Sequence, residues 1–208
     1  MILIGQYDSP FVRRVGIALT LYGLPFEHRP WSAFGDADKI RPYNPLTRVP
    51  TLVLDDGEVL IESHMILDYL DTRVPAGQRL FPIEEPMRHQ ALRVAALAGG
   101  LGDKIVSLFY ERRLHEKVSD LWVERCRTQI ETVLGVLEAD RAARPTAWWF
   151  GDRFSHADIA VAVMMRFLGD AHPGLVSPTG FPALASHTAG MEALPVFQRI
   201  SQPFIAPA

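Results

Sequence analysis

Along the first third of the chain, short apolar runs alternate with stretches where apolar residues recur every three or four positions. Residues 2–5 form a short apolar run and predict a first strand. Ser9-Pro10 then opens a helix. Serine is a favoured cap, and proline suits the first helical position because its missing N–H would go unpaired there anyway. Phe11, Val12, Val15, Ala18, Leu19 and Tyr22 follow at helical spacing and predict one apolar face, ended by Gly23 and Pro25. Residues 26–31 predict a second strand, and the polar stretch 32–44 holds one helical turn at 37–41. Residues 51–54 and 59–61 read as strands around Asp56-Gly57, a dipeptide that favours the tight hairpin turn. Ser63 is expected to cap a further helix with Ile66, Leu67 and Leu70 on its inner side. The order is strand, helix, strand, helix, strand, strand, helix. A helix joins the first two strands, which should therefore be parallel, whereas the hairpin makes the last two antiparallel.

The texture changes at residues 75–86, where three prolines and a glycine mark a linker. Beyond it the period is helical throughout: 87–115, 120–143, 155–168, and two shorter segments near Phe181 and Pro195. The expected organisation is an α/β domain over residues 1–80 and an all-α domain over 86–208. Ser155-x-x-Asp158 reads as a reciprocal helix cap, with Phe154 and Ile159 stapling across it, and its role as folding rather than catalysis. Gly99-Gly100 lies inside the longest helical stretch, where glycine is costly, and suggests a close helix approach or a dimer contact.

The bulk numbers narrow the function classes. With 208 residues, 48% of them hydrophobic, the chain suffices for one large core or two small ones. A net charge of -3 without a basic cluster argues against nucleic acid as a partner. The single cysteine, Cys126, cannot form an internal disulfide and points to a reducing compartment. The N-terminal apolar run is too short for a secretory signal, and no run approaches the roughly 20 residues needed to span a bilayer. A cytoplasmic protein with no membrane partner is expected. The histidines show no metal-ligand spacing, so no metal is expected.

Four motifs carry a family resemblance. They are Ser9-Pro10-Phe11-Val12-Arg13-Arg14-Val15, Asn44-Pro45-Leu46-Thr47-Arg48-Val49-Pro50-Thr51-Leu52, Glu62-Ser63, and Ser155-His156-Ala157-Asp158-Ile159-Ala160. In this order and at these separations they resemble the glutathione transferases, the first motif resembling the family's Ser or Cys classes. The resemblance covers nearly the whole chain. It implies a thioredoxin-like N-terminal domain (βαβαββα) followed by an all-helical domain, with glutathione as co-substrate and a homodimer as the usual assembly.

The resemblance also implies site residues. The Val49-Pro50 bond would be cis, and the Val49 backbone would pair with glutathione as an added strand does. Ser63 and the helix start behind it would hold the γ-glutamyl carboxylate, with Glu62 accepting from the ammonium. Ser9 would donate a hydrogen bond to the glutathione sulfur, acting as a donor and not as a nucleophile. Tyr7 is the rival donor, because some classes of the family use a tyrosine near the end of the first strand. Arg48, Lys39 and Arg41 are candidates for the glycyl carboxylate, Arg48 first. Phe11, Phe34, Phe109, Tyr110 and Arg113 are candidates for a small hydrophobic electrophile between the domains, and Asp103 for a contact across a dimer. Where the family often has glycine this chain has Thr47, which is expected to keep a negative φ. A serine in place of the Cys-class thiol disfavours disulfide chemistry, and Cys126 reads as a small buried hydrophobe. The implied activity is attack of an activated glutathione thiolate on a small electrophile, by conjugation, addition or isomerisation. The alternative is a non-catalytic binding or regulatory module on the same fold.

Overall fold

The structure is a computed structural model and describes residues 1–206. It packs into two units, one made of Met1–Leu80 with the stretch from Ala193 onward, the other of Phe81–Glu192. The final stretch thus departs from the expected 86–208 domain. It joins the first unit because Arg13 and Tyr7, near the chain's beginning, bond to Phe197, Ile200 and Gln202.

The first unit holds strands β1 (Ile2–Ile4), β2 (Glu27–Arg29), β3 (Thr51–Val53) and β4 (Val59–Ile61). Its helices are α1 (Pro10–Leu21), α2 (Ala37–Ile40) and α3 (Ser63–Thr72), with the short α8 (Pro195–Arg199) from the final stretch. The sheet runs β2-β1-β3-β4. β1 pairs parallel with β2 and antiparallel with β3, in the register Ile2↔Val53 to Ile4↔Thr51, and β3 pairs antiparallel with β4. These orientations match the expected ones, since they follow from which connections are helical and which are tight turns. Leu3, Ile4, Leu52, Ile66, Leu67 and Leu70 are fully or almost fully buried and tie α3 to the sheet.

Helix α1 departs from expectation. It is buried from Pro10 to Leu19, save only the half-buried Phe11, and Arg13 and Arg14 are inside with the aliphatic residues. The face that would have met water is covered because α1 packs against both α3 and α8. Arg13 is accommodated there by its partners. Its Nε donates to the carbonyl of Ile200 at 2.8 Å and its Nη2 to that of Phe197 at 2.9 Å. These are the orphan carbonyls at the end of α8, so one guanidinium satisfies a helix terminus and shields its own charge.

In the second unit, α4 (Met87–Leu114) packs against α5 (Asp120–Ala142) and α6 (His156–Ala171), and α6 against α7 (Pro182–Glu192). Helix α4 runs unbroken through Gly99-Gly100, with Gly99 buried and Gly100 exposed; a Cβ on Gly100 would meet nothing within 4 Å. Among the described residues no helix is long and apolar enough to cross a membrane. The cap at α6 is reciprocal as expected. The Asp158 carboxylate is fully buried and accepts from the Ser155 N–H and hydroxyl at 2.8 Å each, and from the Trp149 N–H at 2.8 Å. Phe154 packs edge-on against Trp148, with ring centroids 5.4 Å apart.

Two histidines in this unit are buried as neutral rings. His172 Nε2 donates to the Ile105 carbonyl at 3.0 Å, and His187 Nε2 faces the Asp158 carbonyl at 3.3 Å. Burial holds both below the ordinary histidine value, with Asp158 opposing the effect at His187.

Removing the Ser155 hydroxyl by Ser155→Ala should cost about 1 kcal/mol, a cap's usual worth. Asp158→Ala should cost about 3 kcal/mol, because it strands several buried donors at once. Urea unfolding of both variants measures the difference. For the histidines the folded value lies below the unfolded one, so the unfolded chain binds more protons as the pH drops. Their contribution is complete above about pH 6.5 and is lost as pH falls through the folded values. Unfolding free energy measured against pH should fall below that point, and less steeply in His187→Gln.

Candidate functional site

The site begins with a missing side chain. Gly5 follows β1 with φ +129, a conformation open to glycine. A Cβ there would lie 2.4 Å from Val12 Cγ2 and 2.8 Å from Val49 Cβ. Gly5 is thus where the first turn of α1 and the segment before β3 approach each other, with β1 between them.

On one side of this junction stands Ser9, the N-cap of α1. Its Oγ accepts from the Val12 N–H at 3.4 Å. Pro10 has no N–H to satisfy, and the Arg13 N–H reaches the Ser9 carbonyl at 2.9 Å. The Phe11 N–H is therefore the amide of the first turn left for a ligand among the described residues. Accepting a cap bond occupies a lone pair of Ser9 and leaves its O–H proton to donate elsewhere. A hydroxyl, an amide and the positive end of the helix dipole thus share one end of α1, an arrangement that favours an anion.

On the other side is the turn that leads into β3. Val49-Pro50 is a cis peptide bond. The turn is built by Asn44, which is 1% exposed. Its Nδ2 donates to the Arg48 carbonyl at 2.9 Å and to Thr51 Oγ1 at 3.1 Å, and its Oδ1 accepts from the Leu46 N–H at 3.0 Å. Val49 is half-buried, and among the described residues neither its N–H nor its C=O is used. An extended backbone ligand would find both groups of one residue open, as at a strand edge. Thr47 corrects the sequence reading. It takes φ 52, on the left-handed side, because the turn closed by Asn44 and Thr47 needs that reversal.

A second helix start lies at α3, and its cap is not Ser63. The N-cap is Glu62, with φ 66 and no side-chain cap bond, and Ser63 is the first helical residue. The Ser63 hydroxyl is buried and accepts from Nη2 of Arg14. Its own proton is left to donate, and the amides at the start of α3 precede the first intrahelical bond, from the Ile66 N–H to the Glu62 carbonyl. Glu62 itself is exposed and pairs with Arg48 at 3.1 Å, so the two sequence candidates meet across the turn.

Arg14 escaped the sequence reading, which quoted it only within the motif of residues 9–15 and gave it no role. It is 1% exposed, and its guanidinium lies 5.7 Å from the Phe11 ring centroid. The available signal was the pair of charges Arg13-Arg14 among the apolar residues of α1.

The other candidates separate from this group. The Tyr7 ring stacks on His28 with centroids 3.9 Å apart, and its Cε1 sits 2.8 Å from where a Gly16 Cβ would be. Gly16 is seven residues beyond Ser9, about 10 Å along the helix, so the phenol lies beside the second turn and not at the helix start. Burial raises the Tyr7 hydroxyl above its ordinary value, which keeps it neutral. Lys39 and Arg41 turn onto their own helix's acids, Asp36 at 2.6 Å and Asp38 at 2.8 Å. Phe109 packs against Tyr110 and His172 within the second unit, where Asp103 and Arg113 are exposed, and Phe34 is exposed in the first. Cys126 is fully buried, and burial pushes its thiol upward, away from the reactive thiolate.

Both units resemble parts of known proteins. Residues 3–78 match the model of the glutathione S-transferase N-terminal domain, and residues 120–190 match that of the C-terminal domain. A maleylacetoacetate isomerase from Pseudomonas aeruginosa is 31% identical over 76% of this chain and 77% of its own. A glutathione S-transferase from Methylobacterium radiotolerans, solved in complex with glutathione sulfonate, superposes with a TM-score of 0.90 at 32% identity, covering 100% of this chain and 98% of its own. One from Methylobacillus flagellatus, solved with GSH bound, gives 0.89 at 29% identity over 98% and 99%.

The turn should respond to substitution at both its strained and its buried residue. Thr47→Gly is expected to stabilise by about 0.5–1 kcal/mol, because a β-branched residue pays for the left-handed region and glycine does not. Asn44→Ala should cost about 2–3 kcal/mol by stranding the groups it holds. Thermal unfolding of both variants reads the opposite signs.

Proposed function

The chain belongs to the glutathione S-transferase family, and on that premise we propose that it binds glutathione in its first unit and activates the thiol for attack on a small electrophile. The observation that carries the reading is the junction at Gly5, which brings an open helix start at Ser9 beside the unused backbone of Val49.

Each part of the tripeptide has a complement. The γ-glutamyl carboxylate is received by the start of α3 and the Ser63 hydroxyl, with the Arg14 guanidinium behind that oxygen adding positive charge. Glu62 accepts from the ammonium. The cysteinyl unit pairs with the Val49 N–H and C=O, and Arg48, beside Glu62 on the rim, takes the glycyl carboxylate.

The sulfur then lies at the start of α1. An ordinary thiol, with a pKa near about 8.5, is mostly protonated at neutral pH. The Ser9 O–H, the Phe11 N–H and the helix dipole stabilise the anion and lower that value, and the released proton leaves to solvent. The thiolate lone pair forms a C–S bond with the electrophilic carbon. The displaced pair leaves with a leaving group, takes up a proton in an addition, or returns to expel the thiolate after an isomerisation. The isomerase among the relatives makes the last route one to include in a substrate screen. A family-fold protein of this kind acts in the cytoplasm, as a homodimer.

Titration calorimetry with glutathione tests the reading. Wild type should bind in the micromolar to low millimolar range and Ser63→Ala roughly tenfold more weakly. Ser9→Ala should bind within about threefold of wild type yet raise the pH at which the bound thiol ionises part of the way to its ordinary value, because the Phe11 N–H and the helix dipole remain. No binding by wild type at millimolar glutathione would overturn the proposal in favour of a non-catalytic module.

A further inference from the structure

The loop that carries Ser9 is short, and its backbone is not held by the sheet alone. Ser9's amide reaches the Gln6 carbonyl at 3.2 Å, and β1 ends at Ile4. Between them, Tyr7 and Asp8 take partners from the far end of the chain. The Tyr7 N–H donates to Gln202 Oε1 at 2.9 Å. The Ile205 N–H donates to Asp8 Oδ2 at 3.0 Å. Ile200 Cγ2 and the Tyr7 ring fill the space that a Cβ on Gly16 would need, Cγ2 lying 3.0 Å from that position. The segment behind these contacts is itself anchored, because Arg13 holds the carbonyls of Phe197 and Ile200.

We infer that residues 200–205 form a strap that positions the Ser9 loop, with Gln202 as its positioning residue. The inference rests on the proposed glutathione site. The strap acts in two ways. The Gln202 bond fixes the peptide plane two residues before Ser9, and so the direction in which the capping hydroxyl can point. The Ile205 amide holds the Asp8 carboxylate on the strap side. A carboxylate next to Ser9 that was free to swing would set a negative charge against the thiolate that Ser9 must stabilise. Gln202 touches neither the turn at Val49 nor the Ser63 hydroxyl, so its effect should fall on thiol activation more than on affinity.

The test uses the full chain with Gln202→Met, which keeps volume and removes the acceptor, and Gln202→Glu, which keeps an acceptor. Three quantities are read: amide hydrogen exchange over residues 5–9, glutathione affinity by calorimetry, and the pH at which bound glutathione ionises, from its ultraviolet thiolate absorbance. Gln202→Met is expected to speed exchange of the Tyr7 amide at least about fivefold, in line with the loss of one hydrogen bond. It should raise the ionisation pH of the bound thiol by roughly half a unit to one unit, with affinity within about twofold. Gln202→Glu should restore the slow exchange. Unchanged exchange in Gln202→Met overturns the strap. Faster exchange with an unmoved thiol ionisation shows a merely structural tie and overturns the positioning role. Failure of wild type to bind glutathione appears before any substitution is made; it overturns the functional reading, and the positioning role with it.

Discussion

Everything in the candidate site depends on one close approach. At Gly5 the backbone of β1 passes between Val12 and Val49 with no room for a methyl group. The helix start that can stabilise an anion and the open backbone that can hold a peptide are therefore neighbours by construction. Neither half could do the chemistry alone. A helix N-terminus binds many anions, and a free N–H and C=O bind any extended chain. On the proposed function, their spacing, set by a hydrogen in place of a side chain, would select a thiol carried on a peptide.

The second organising feature is the use of buried arginines. Arg13 and Arg14 are adjacent in α1 yet point to different tasks. Arg13 closes the end of α8 and Arg14 backs the Ser63 oxygen. A buried cation is expensive unless acceptors meet it; Arg13 meets the carbonyls of Phe197 and Ile200, and Arg14 meets the Ser63 hydroxyl. The cost is balanced by what they organise: one fixes the returning chain end, the other biases the start of α3 toward negative charge.

Most of the fold could be read from the chain because it is written in local signals. The hairpin at Asp56-Gly57, the Ser9-Pro10 helix start and the Ser155-x-x-Asp158 cap are each set by residues a few positions apart. What escaped was non-local. Ser63 looked like a cap, but the chain reversal at Glu62 moves the cap one residue back and frees the hydroxyl for Arg14. Arg14 was given no role because nothing near it in sequence announces that α3 and α8 pack on α1. Tyr7 stood only as the rival to Ser9, and nothing near it in sequence announced that Gly16, nine residues on, makes a slot for its ring. Thr47 looked too stiff for a left-handed turn; the side-chain bonds of Asn44 impose it regardless.

The return of the C-terminal segment to the first unit also bears on how the chain is made. The bonds from Arg13 to Ile200 and from Tyr7 to Gln202 span 187 and 195 residues. A ribosome delivers the sheet, α1 and α3 long before it delivers their last partners. During that interval the Arg13 guanidinium and the Tyr7 amide lack the partners that residues 197–202 later supply, and the whole helical unit must emerge before those arrive. The first unit closes only after the second has been made, so emergence of residues 197–205, rather than emergence of the sheet, marks the moment at which the Ser9 loop acquires its support.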